Sequence, residues 1–272
     1  MERLEAALAK AREMRRSSLG APVAERVKPE LGQGPGNAWT ALPEAVIDPS
    51  KAQSTRVTAL SGGLGAAPYD LLRSRTIRQM KEKGWTRLAV TSPDPACGKT
   101  TIALNLALSL SRQKDLRVML LDIDLRRPGL DKLLGVTGRK SLWQVLDGNA
   151  TVEDAAVRVD DNLIVIGNAV PCPNPSELLQ SERTTQKIDD IEKAWKPDIM
   201  IFDMSPMLAS DDNVGFLHNA DCALLVAAAE HTKMGNIDLC EKELAGLTNV
   251  LGIVLNKCRY EDDSVGYSYG TY

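Results

Sequence analysis

Several residue types are scarce in this chain of 272 residues, and each shortage excludes a class of protein. Two histidines, His218 and His231, are too few for a histidine-based metal centre or catalytic triad. The five cysteines are odd in number and form no Cys-x-x-Cys pair, which argues against a disulfide framework and a zinc site. The net charge of −3 provides no basic footprint for nucleic acid, so no nucleic-acid partner is expected.

Long apolar stretches are also missing. The longest, near residues 223–229, is far shorter than the roughly 20 residues of a membrane-spanning helix, and the N-terminus shows no hydrophobic signal-peptide region. The sequence therefore predicts a cytoplasmic protein that meets a membrane only through a partner or a surface helix. Its composition, 43% hydrophobic and 25% charged, is ordinary for a globular protein and sufficient for one α/β domain with tails.

The chain divides into three regions by composition. Residues 1–55 are predicted to hold an amphipathic helix, residues 1–16, followed by a flexible linker rich in Gly, Pro, Ser and Ala. This helix could bind a membrane surface or a partner, or it could be a solvated basic helix at a frayed end. Residues 56–258 are predicted to form the folded domain. Residues 259–272, the tyrosine-rich tail, carry four of the five tyrosines but little aliphatic surface, so we expect them to be disordered.

Apolar, strand-like runs alternate with helical patterns through the predicted domain. The strands are expected at Leu88–Thr91, Val118–Asp122, Leu163–Gly167, Ile199–Asp203, Cys222–Ala227 and Leu251–Asn256. The helices are expected at Asp70–Lys83, Thr100–Arg112, Leu130–Leu134, Leu142–Asp147, Glu182–Ala194 and Met234–Gly246. Continuously apolar strands joined by crossover helices indicate a three-layer α/β fold, in which helices flank a mostly parallel sheet. Ligands of such sheets bind at the carboxyl ends of the strands.

The most informative segment follows the first predicted strand. Ser92-Pro-Asp-Pro-Ala-Cys-Gly-Lys-Thr-Thr101 ends in Gly-Lys-Thr and leads into a helix, which predicts a phosphate-binding loop and a P-loop NTPase fold. The residues expected to hold a nucleotide here are Pro95, Ala96, Cys97, Gly98, Lys99, Thr100 and Thr101. Lys99 would reach the β- and γ-phosphates, and the Thr100 hydroxyl would ligate Mg²⁺. Pro93 replaces the usual first glycine, and Cys97 is either a small residue that fills the loop or a thiol whose modification would block it.

Two further predicted strands end in carboxylates. The second strand runs into Asp122-Ile-Asp124-Leu-Arg-Arg-Pro, and alternate residues at a strand end point the same way, so Asp122 and Asp124 could share one site. The strand before Asp203 ends in a carboxylate that suits a ligand of Mg²⁺ or water, although a strand-terminal Asp can also cap the next turn. Asn256 closes the last predicted strand, where its amide could pair with an adenine edge.

These motifs together resemble those of the bacterial tyrosine kinases of capsule and exopolysaccharide synthesis, over about residues 69–272. The matching segments are Ser92–Thr101, the Leu-Leu-Asp-Ile-Asp-Leu-Arg-Arg-Pro run of residues 120–128, the Asp203 motif, Asn174-Pro-Ser-Glu-Leu-Leu179 and the tyrosine-rich tail. The resemblance implies a protein-tyrosine autokinase that uses ATP and Mg²⁺. It would phosphorylate its own tail and thereby regulate the polymerisation or export of a polysaccharide.

The resemblance also assigns roles to residues. It implies that Lys99, Asp122, Asp124 and Asp203 are catalytic, that Thr100, Asp122 and Asp203 hold Mg²⁺, and that Arg126, Asn256 and Lys257 help the loop bind nucleotide. The implied phosphoacceptors are Tyr260, Tyr267, Tyr269 and Tyr272. The implied partners are a membrane chain-length regulator that activates the kinase, a cognate tyrosine phosphatase and further copies of the chain. Such a kinase would sit peripherally at the inner membrane through its activator.

One departure concerns assembly. The oligomerisation motif of these kinases, Glu-x-x-Arg-x-x-Arg, is half matched by Asp70 and Arg73, because Thr76 stands at the second arginine position while Arg75 and Arg78 are shifted. Ring assembly therefore stays open at the level of sequence.

An alternative of another class shares the predicted fold. It comprises ATPases that position cell-division proteins and plasmids, in which ATP drives dimerisation and surface binding. These proteins usually carry a second lysine five positions before the Gly-Lys lysine, where this chain has Asp94, and they have no use for a tyrosine cluster. A nucleotide sensor without catalysis is a third interpretation, in which the tail is a plain solvated terminus.

Overall fold

The structure is a computed structural model that describes residues 37–60 and 62–259. The predicted N-terminal amphipathic helix and the four predicted acceptor tyrosines lie outside these residues. Within the described ranges, no helix combines the length and the apolar character that crossing a membrane requires.

Helices and strands alternate along the described chain. The strands are β1 (Arg87–Thr91), β2 (Val118–Asp122), β3 (Ala156–Asp160), β4 (Leu163–Ile166), β5 (Ile199–Asp203), β6 (Cys222–Ala228) and β7 (Asn249–Asn256). The helices up to β3 are α1 (Asn37–Thr40), α2 (Pro49–Ser54), α3 (Ala67–Lys83), α4 (Lys99–Ser111), α5 (Leu130–Leu134), α6 (Leu142–Leu146) and α7 (Val152–Ala155). The later helices are α8 (Pro175–Gln180), α9 (Glu182–Trp195), α10 (Asp212–Phe216) and α11 (Met234–Leu247).

The seven strands form one sheet in the order β3-β4-β2-β5-β1-β6-β7. β3 is antiparallel to β4, and every other neighbouring pair is parallel. This arrangement confirms the predicted α/β fold with a mostly parallel sheet. β1 lies between β5 and β6, and β2 lies on the other side of β5. The segments that follow β1, β2 and β5 therefore meet at one edge of the sheet.

The central strands are apolar throughout because both faces of the sheet are covered. β1, β2, β5 and β6 are buried at every position. Successive residues of β2 enter opposite cores: Met119 and Leu121 pack into one cluster, and Val118 and Leu120 pack into the other. Strands buried on both faces lose the alternation of apolar and polar residues, which is why the sequence showed them as continuous runs.

Residues 37–60 pack against this core, whereas the sequence analysis assigned residues up to 55 to a flexible linker. Trp39 is 2% exposed, donates from Nε1 to the Trp195 carbonyl oxygen at 2.9 Å and makes an edge-to-face contact with the Trp195 ring. Further along the segment, Ile47 and Ala52 are buried in the opposite cluster. The packed chain therefore begins before the predicted boundary at residue 56, because a few apolar side chains anchor a segment of linker-like composition.

The same segment covers an edge of the sheet. β3 was not predicted, since its Ala-Val-Arg-Val-Asp pattern is short and only half apolar. The Ala45 N–H donates to the Arg158 carbonyl oxygen at 2.8 Å, and the Arg158 N–H donates to the Pro43 carbonyl oxygen at 3.0 Å. An ion pair of 2.5 Å joins Arg158 Nη2 to Glu44 Oε2. The segment thereby occupies backbone groups of β3 that an open edge would leave unpaired.

The half-matched oligomerisation motif lies on α3. The Asp70 carboxylate accepts from the Ser109 hydroxyl of α4 at 2.7 Å and is paired with Arg112, while Arg73 Nη1 donates to the Ser109 carbonyl oxygen at 2.9 Å. Thr76, at the position of the second arginine, is 2% exposed. A buried position cannot present an arginine to another subunit without unpacking α3. The contacts of Asp70 and Arg73 with Ser109 join α3 to α4 within the chain.

Candidate active site

The loop between β1 and α4 has a backbone that its sequence explains. Ala96 and Gly98 both have positive φ angles, +61° and +91°, which turn the chain sharply into the first turn of α4. A Cβ at position 98 would collide with the amide of Asn256, so only glycine fits there. Pro95 and Ala96 are exposed, whereas Cys97 is buried and its Sγ lies 3.4 Å from the Thr232 Oγ1.

The end of β7 holds this loop in place. Asn256 Nδ2 donates to the Cys97 carbonyl oxygen at 2.9 Å, and its Oδ1 accepts from the Lys257 N–H at 2.8 Å. Lys257 Nζ donates to the Ala96 carbonyl oxygen at 2.7 Å. The structure thus places Asn256 and Lys257 against the loop, where both side chains bind its backbone. A contact of Asn256 with an adenine edge stays a prediction.

Lys99 lies at the start of α4 and is surrounded by carboxylates. Its Nζ is 2.8 Å from Asp124 Oδ2, 3.9 Å from Asp203 Oδ1 and 3.4 Å from the Thr100 hydroxyl. Burial alone would lower the pKa of Lys99, but the charges of Asp203 and Asp124 outweigh burial and raise the pKa. The ammonium group is therefore charged. It lies nearly fully buried beside the loop, where it can bind an anion.

Asp122 and Asp203 face each other across neighbouring strands, where their Cα atoms are partners in the β2–β5 register. Burial raises the pKa of Asp203 to about 6, although the charge of Lys99 opposes the shift. Burial also raises the pKa of Asp122 well above its ordinary value, and the charge of Asp203 adds to that effect. The chain after β2 leaves the strand, yet Asp124 still reaches Lys99, so the predicted sharing of one site by Asp122 and Asp124 agrees with the geometry.

These carboxylates have unused oxygen atoms. Asp122 Oδ2 accepts from the Gly129 and Leu130 N–H groups at 3.0 and 3.2 Å. In contrast, Asp122 Oδ1 and both oxygens of Asp203 are buried without a hydrogen-bonding partner among the described residues. A buried carboxylate oxygen without a partner is costly, so these atoms point to a ligand that supplies positive charge or protons.

Mg²⁺ fits this set of oxygen atoms. Within residues 37–60 and 62–259 there is no cluster of three or more His, Cys, Asp or Glu side chains arranged to hold a metal ion by themselves. Mg²⁺ does not require one, because it usually binds through one or two carboxylates together with substrate phosphates and water. Thr100, in the first turn of α4, would supply a hydroxyl, and Asp122 or Asp203 would supply the carboxylate.

Arg126 is fixed by a group that the sequence analysis missed. Its guanidinium binds both carboxylate oxygens of Asp212, with Nε–Oδ2 at 2.7 Å and Nη2–Oδ1 at 3.0 Å. The hydroxyls of Ser176 and Ser210 donate to the same carboxylate at 2.7 and 2.9 Å. These hydrogen bonds outweigh burial and hold the pKa of Asp212 below its ordinary value. No spacing in the sequence links Asp212 to Arg126, although Ser176 belongs to the Asn-Pro-Ser-Glu segment that the resemblance singled out.

A second missed residue supports β2. Asn168, 3% exposed, donates from Nδ2 to the Asp122 carbonyl oxygen at 2.7 Å and accepts from the Trp143 N–H at 3.1 Å. It therefore fixes the end of the strand that carries the catalytic candidate. An isolated Asn after an apolar strand gave no signal that could have identified it.

An open cleft of about 540 Å³ lies at the ends of β6 and β7, beside the loop. Its charged lining includes Arg56, Glu230, Lys257 and Arg259. Arg259, the last described residue, forms an ion pair of 3.5 Å with Glu230. The chain therefore leaves the described domain next to the loop.

Comparisons with known proteins agree with this geometry. Residues 88–266 match the family described as the CobQ/CobB/MinD/ParA nucleotide binding domain. The chain is 30% identical to tyrosine-protein kinase CpsD of Streptococcus agalactiae over 201 residues, which cover 73% of this chain and 86% of that protein. It is also 30% identical over 207 residues to the putative tyrosine-protein kinase EpsB of Ralstonia solanacearum. That match covers 74% of this chain and 27% of EpsB.

The share of each relative that the chain covers differs widely. The chain spans about a quarter of the length of the first curated relatives that it matches. Among solved structures, the kinase domain of the Escherichia coli tyrosine kinase ETK is similar with a TM-score of 0.68 and 27% identity, over 79% of this chain and 84% of that one. The chain therefore belongs to the CobQ/CobB/MinD/ParA nucleotide-binding domain family and, within it, to the bacterial tyrosine kinases.

Proposed function

We propose that this protein is an ATP- and Mg²⁺-dependent protein-tyrosine kinase that phosphorylates Tyr260, Tyr267, Tyr269 and Tyr272 of its own tail. The observation that carries this proposal is the buried ammonium of Lys99 between Asp124 and Asp203, directly after the glycine-dependent loop. A charged donor at the start of a helix suits the binding of phosphates, because the helix N-terminus also attracts negative charge.

Each side chain has a defined task in the proposed reaction. The loop N–H groups and Lys99 hold the phosphates of ATP, and Lys99 offsets charge on the group in transfer. The tyrosine oxygen forms a bond to the γ-phosphorus as the bond to the β–γ bridging oxygen breaks, and ADP leaves. The ordinary pKa of a phenol is about 10, so a carboxylate must accept its proton. We assign that role to Asp122, which has a free oxygen, with Asp124 beside it.

A bound Mg²⁺ would supply further positive charge, while Lys99 and the loop N–H groups keep their proposed roles. Mg²⁺ held by the Thr100 hydroxyl and Asp203 would supply positive charge at the phosphates when bound. The oxygens of Asp203 accept no hydrogen bond of ordinary geometry among the described residues, and Oδ1 has the Lys99 ammonium 3.9 Å away, so the carboxylate can still take a metal ion. Lys99 would then be partly released from the carboxylates and could turn toward the phosphates.

The proposal extends to the setting of the kinase. The resemblance supports a role in regulating polysaccharide polymerisation or export, a membrane chain-length regulator as activator and a cognate tyrosine phosphatase. The protein would then be cytoplasmic and peripheral at the inner membrane. A homo-oligomer would allow the tail of one copy to enter the site of another, although Asp70 and Arg73 are engaged within the chain.

The test is incubation of the purified protein with ATP and Mg²⁺, with the activator's cytoplasmic segment once identified, followed by mapping of phosphates by mass spectrometry. Lys99→Met is expected to abolish phosphotyrosine in the tail. Lys242→Met is the matched control, because Lys242 is exposed on α11 and has no ion pair among the described residues, so it should behave as the wild type. Release of ADP with an unmodified tail would instead favour an ATPase switch. The sequence disfavours that alternative, because Asp94 stands where such ATPases usually carry a second lysine.

A further inference from the structure

The two edges of the sheet differ in how they are covered. At one edge, residues 43–45 pair with β3, as described above. The opposite edge is β7, and no strand pairs with its outer side within the part of the chain that the structure describes. An uncovered edge strand presents unpaired N–H and C=O groups to any chain that can pair with them. The reaction proposed above gives this edge no role.

The outward-facing backbone groups of β7 can be identified from its pairing with β6. The Ala229 N–H donates to the Asn256 carbonyl oxygen at 2.8 Å, so Asn256 faces β6. Because successive residues of a strand direct their N–H and C=O groups to opposite sides, Leu255 and Ile253 face outward. The Leu255 carbonyl oxygen has a weak contact with the Cys258 thiol at 3.6 Å, and neither outward N–H group has a hydrogen-bonding partner among the described residues.

The side chains of these two residues are apolar and exposed, Ile253 by 49% and Leu255 by 59%. Ile253 is the register partner of Leu225 on β6, which lies in the core cluster that also contains Leu244 of α11. Both exposed side chains therefore lie on the face of the sheet that carries α11. β7 has none of the charged residues or prolines that commonly protect an edge strand, and its bulge leaves the second half of the strand regular.

The chain that follows this edge has the sequence pattern of a strand. Residues 265–271 read Val-Gly-Tyr-Ser-Tyr-Gly-Thr, in which β-forming side chains alternate with glycine and serine. The tyrosine-rich tail has little aliphatic surface of its own, so it can fold only against apolar surface that the domain provides. The exposed side chains of β7 offer such a surface.

We propose that residues 265–271 pair with β7 of the same chain as an additional, antiparallel strand, in which Tyr267 lies opposite Leu255 and Tyr269 lies opposite Ile253. This register brings the outward N–H and C=O groups of β7 into hydrogen-bonded pairs. It also places the two aromatic rings on the two exposed aliphatic side chains, a combination that stabilises neighbouring strands.

The length of the connection favours pairing within one copy. Arg259 is paired with Glu230 beside the end of β6, and the outer side of β7 lies about two strand spacings, or roughly 10 Å, away. The chain from Arg259 to Tyr267 can extend to about 26 Å, which is sufficient for this distance and for a reversal of direction. A short connection also keeps the entropy cost of closing the loop small.

The pairing divides the acceptor tyrosines of the proposed kinase into two classes. Tyr267 and Tyr269 are held on the sheet, whereas Tyr260 belongs to the connection and Tyr272 lies beyond the paired segment. Tyr260 and Tyr272 are therefore phosphorylated first, and the other two only when the strand separates from β7. This order rests on the proposed function, whereas the pairing itself does not.

The test measures hydrogen exchange of single amides by NMR in the full-length protein without ATP. We expect slow exchange at Ile253 and Leu255, and Tyr269→Pro, which removes an N–H that the register requires, should speed it at least about tenfold. Tyr260→Pro is the matched control, because it makes the same substitution outside the paired segment, and it should exchange as the wild type. The inward amide of Val254 should be unchanged in every variant, which verifies that β7 still pairs with β6.

Ile253→Lys tests the same pairing from the side of the domain. Lysine on an edge strand opposes pairing, so exchange at Leu255 should again be at least about tenfold faster. Val46→Lys, at an exposed apolar position near the opposite edge, should have no effect. Addition of Tyr269→Glu, directly opposite the new lysine, should restore part of the protection, whereas Ser268→Glu, on the other face of the strand, should not.

Equal exchange rates of the outward amides in the wild type, Tyr269→Pro and Ile253→Lys would overturn the pairing. Protection that rises with protein concentration would show that a second copy supplies the strand, and it would overturn the assignment to the same chain. Slow exchange in a protein whose tail is never phosphorylated would leave the pairing in place and refute the kinase function. Tail phosphorylation with fast exchange of the outward amides would do the reverse.

Timed mapping of phosphates by mass spectrometry tests the order of modification. We expect the ratio of the phosphorylation rate of Tyr260 to that of Tyr267 to be at least about fivefold higher in the wild type than in Ile253→Lys. Val46→Lys should give the ratio of the wild type. The same ratio in all three proteins would refute the order.

Discussion

The packing of residues 37–60 makes a prediction about stability that is independent of any ligand. Replacement of Trp39 by alanine removes a side chain that is 2% exposed, its edge-to-face contact with Trp195, with ring centres 6.4 Å apart, and its hydrogen bond to the Trp195 carbonyl oxygen. Truncation of a buried aromatic residue to alanine costs about 3–5 kcal/mol. The aromatic pair accounts for roughly 0.5–1.5 kcal/mol of this loss and the hydrogen bond for about 1 kcal/mol.

The assay is equilibrium unfolding in urea followed by far-ultraviolet circular dichroism, which does not depend on the fluorescence of the deleted tryptophan. For a urea dependence of about 3 kcal/mol per molar, the midpoint should fall by roughly 1–1.7 M. Val46→Ala is the control from the same segment, because Val46 is 82% exposed and its truncation should change stability by less than about 0.5 kcal/mol. Equal midpoints for Trp39→Ala and Val46→Ala would refute the docking of this segment.

Two further predictions concern the site. Gly98→Ala should weaken binding of a fluorescent ADP analogue at least about tenfold, because position 98 has a φ of +91° and a Cβ there collides with Asn256. Adding Asn256→Ala should restore part of that loss, and purely additive effects in the double variant would contradict the collision. Asp212→Asn tests the ion pair between Arg126 and Asp212 through its pH dependence. A carboxyl whose pKa is lowered on folding stabilises the folded state at pH values above its unfolded pKa of about 4. This contribution disappears as the pH falls below the pKa that the carboxyl has in the folded state. The wild type should therefore lose its stability advantage over Asp212→Asn on acidification below about pH 4, and a constant difference from pH 7 to 3 would exclude this linkage.

The sheet could be predicted because its signal is local. Each of the six predicted strands agrees with the structure to within two residues at either end, since strands buried on both faces are uninterrupted apolar runs. The loop around Gly98 and Lys99 was found for a similar reason, because a strand, a Gly-Lys-Thr triplet and a helix are contiguous in the chain. The antiparallel β3 escaped prediction because a short strand at an edge is only partly apolar and resembles a loop.

The supporting side chains could not be predicted because their partners are distant in sequence. Asp212 lies 86 residues from Arg126, and Asn168 lies 46 residues from Asp122, so no periodicity joins either pair. Residues 37–55 contain apolar side chains that indicate packing on the core, but the Gly-, Pro-, Ser- and Ala-rich composition of the region favoured a linker. A tryptophan at position 39 is unusual in a flexible linker, and it is one of several buried apolar side chains, with Ile47 and Ala52, that anchor the segment on the core.

The end of β7 connects the loop between β1 and α4 with the start of the tyrosine-rich tail. Asn256 and Lys257 grip the carbonyl oxygens of Cys97 and Ala96, and the tyrosine-rich tail begins only two residues after Lys257. Two hydrogen bonds therefore join the residues just before the tail to the backbone of the loop. Breaking these two hydrogen bonds would free both the loop and the chain that follows β7, so the conformation of the loop and the point at which the chain leaves the sheet depend on each other.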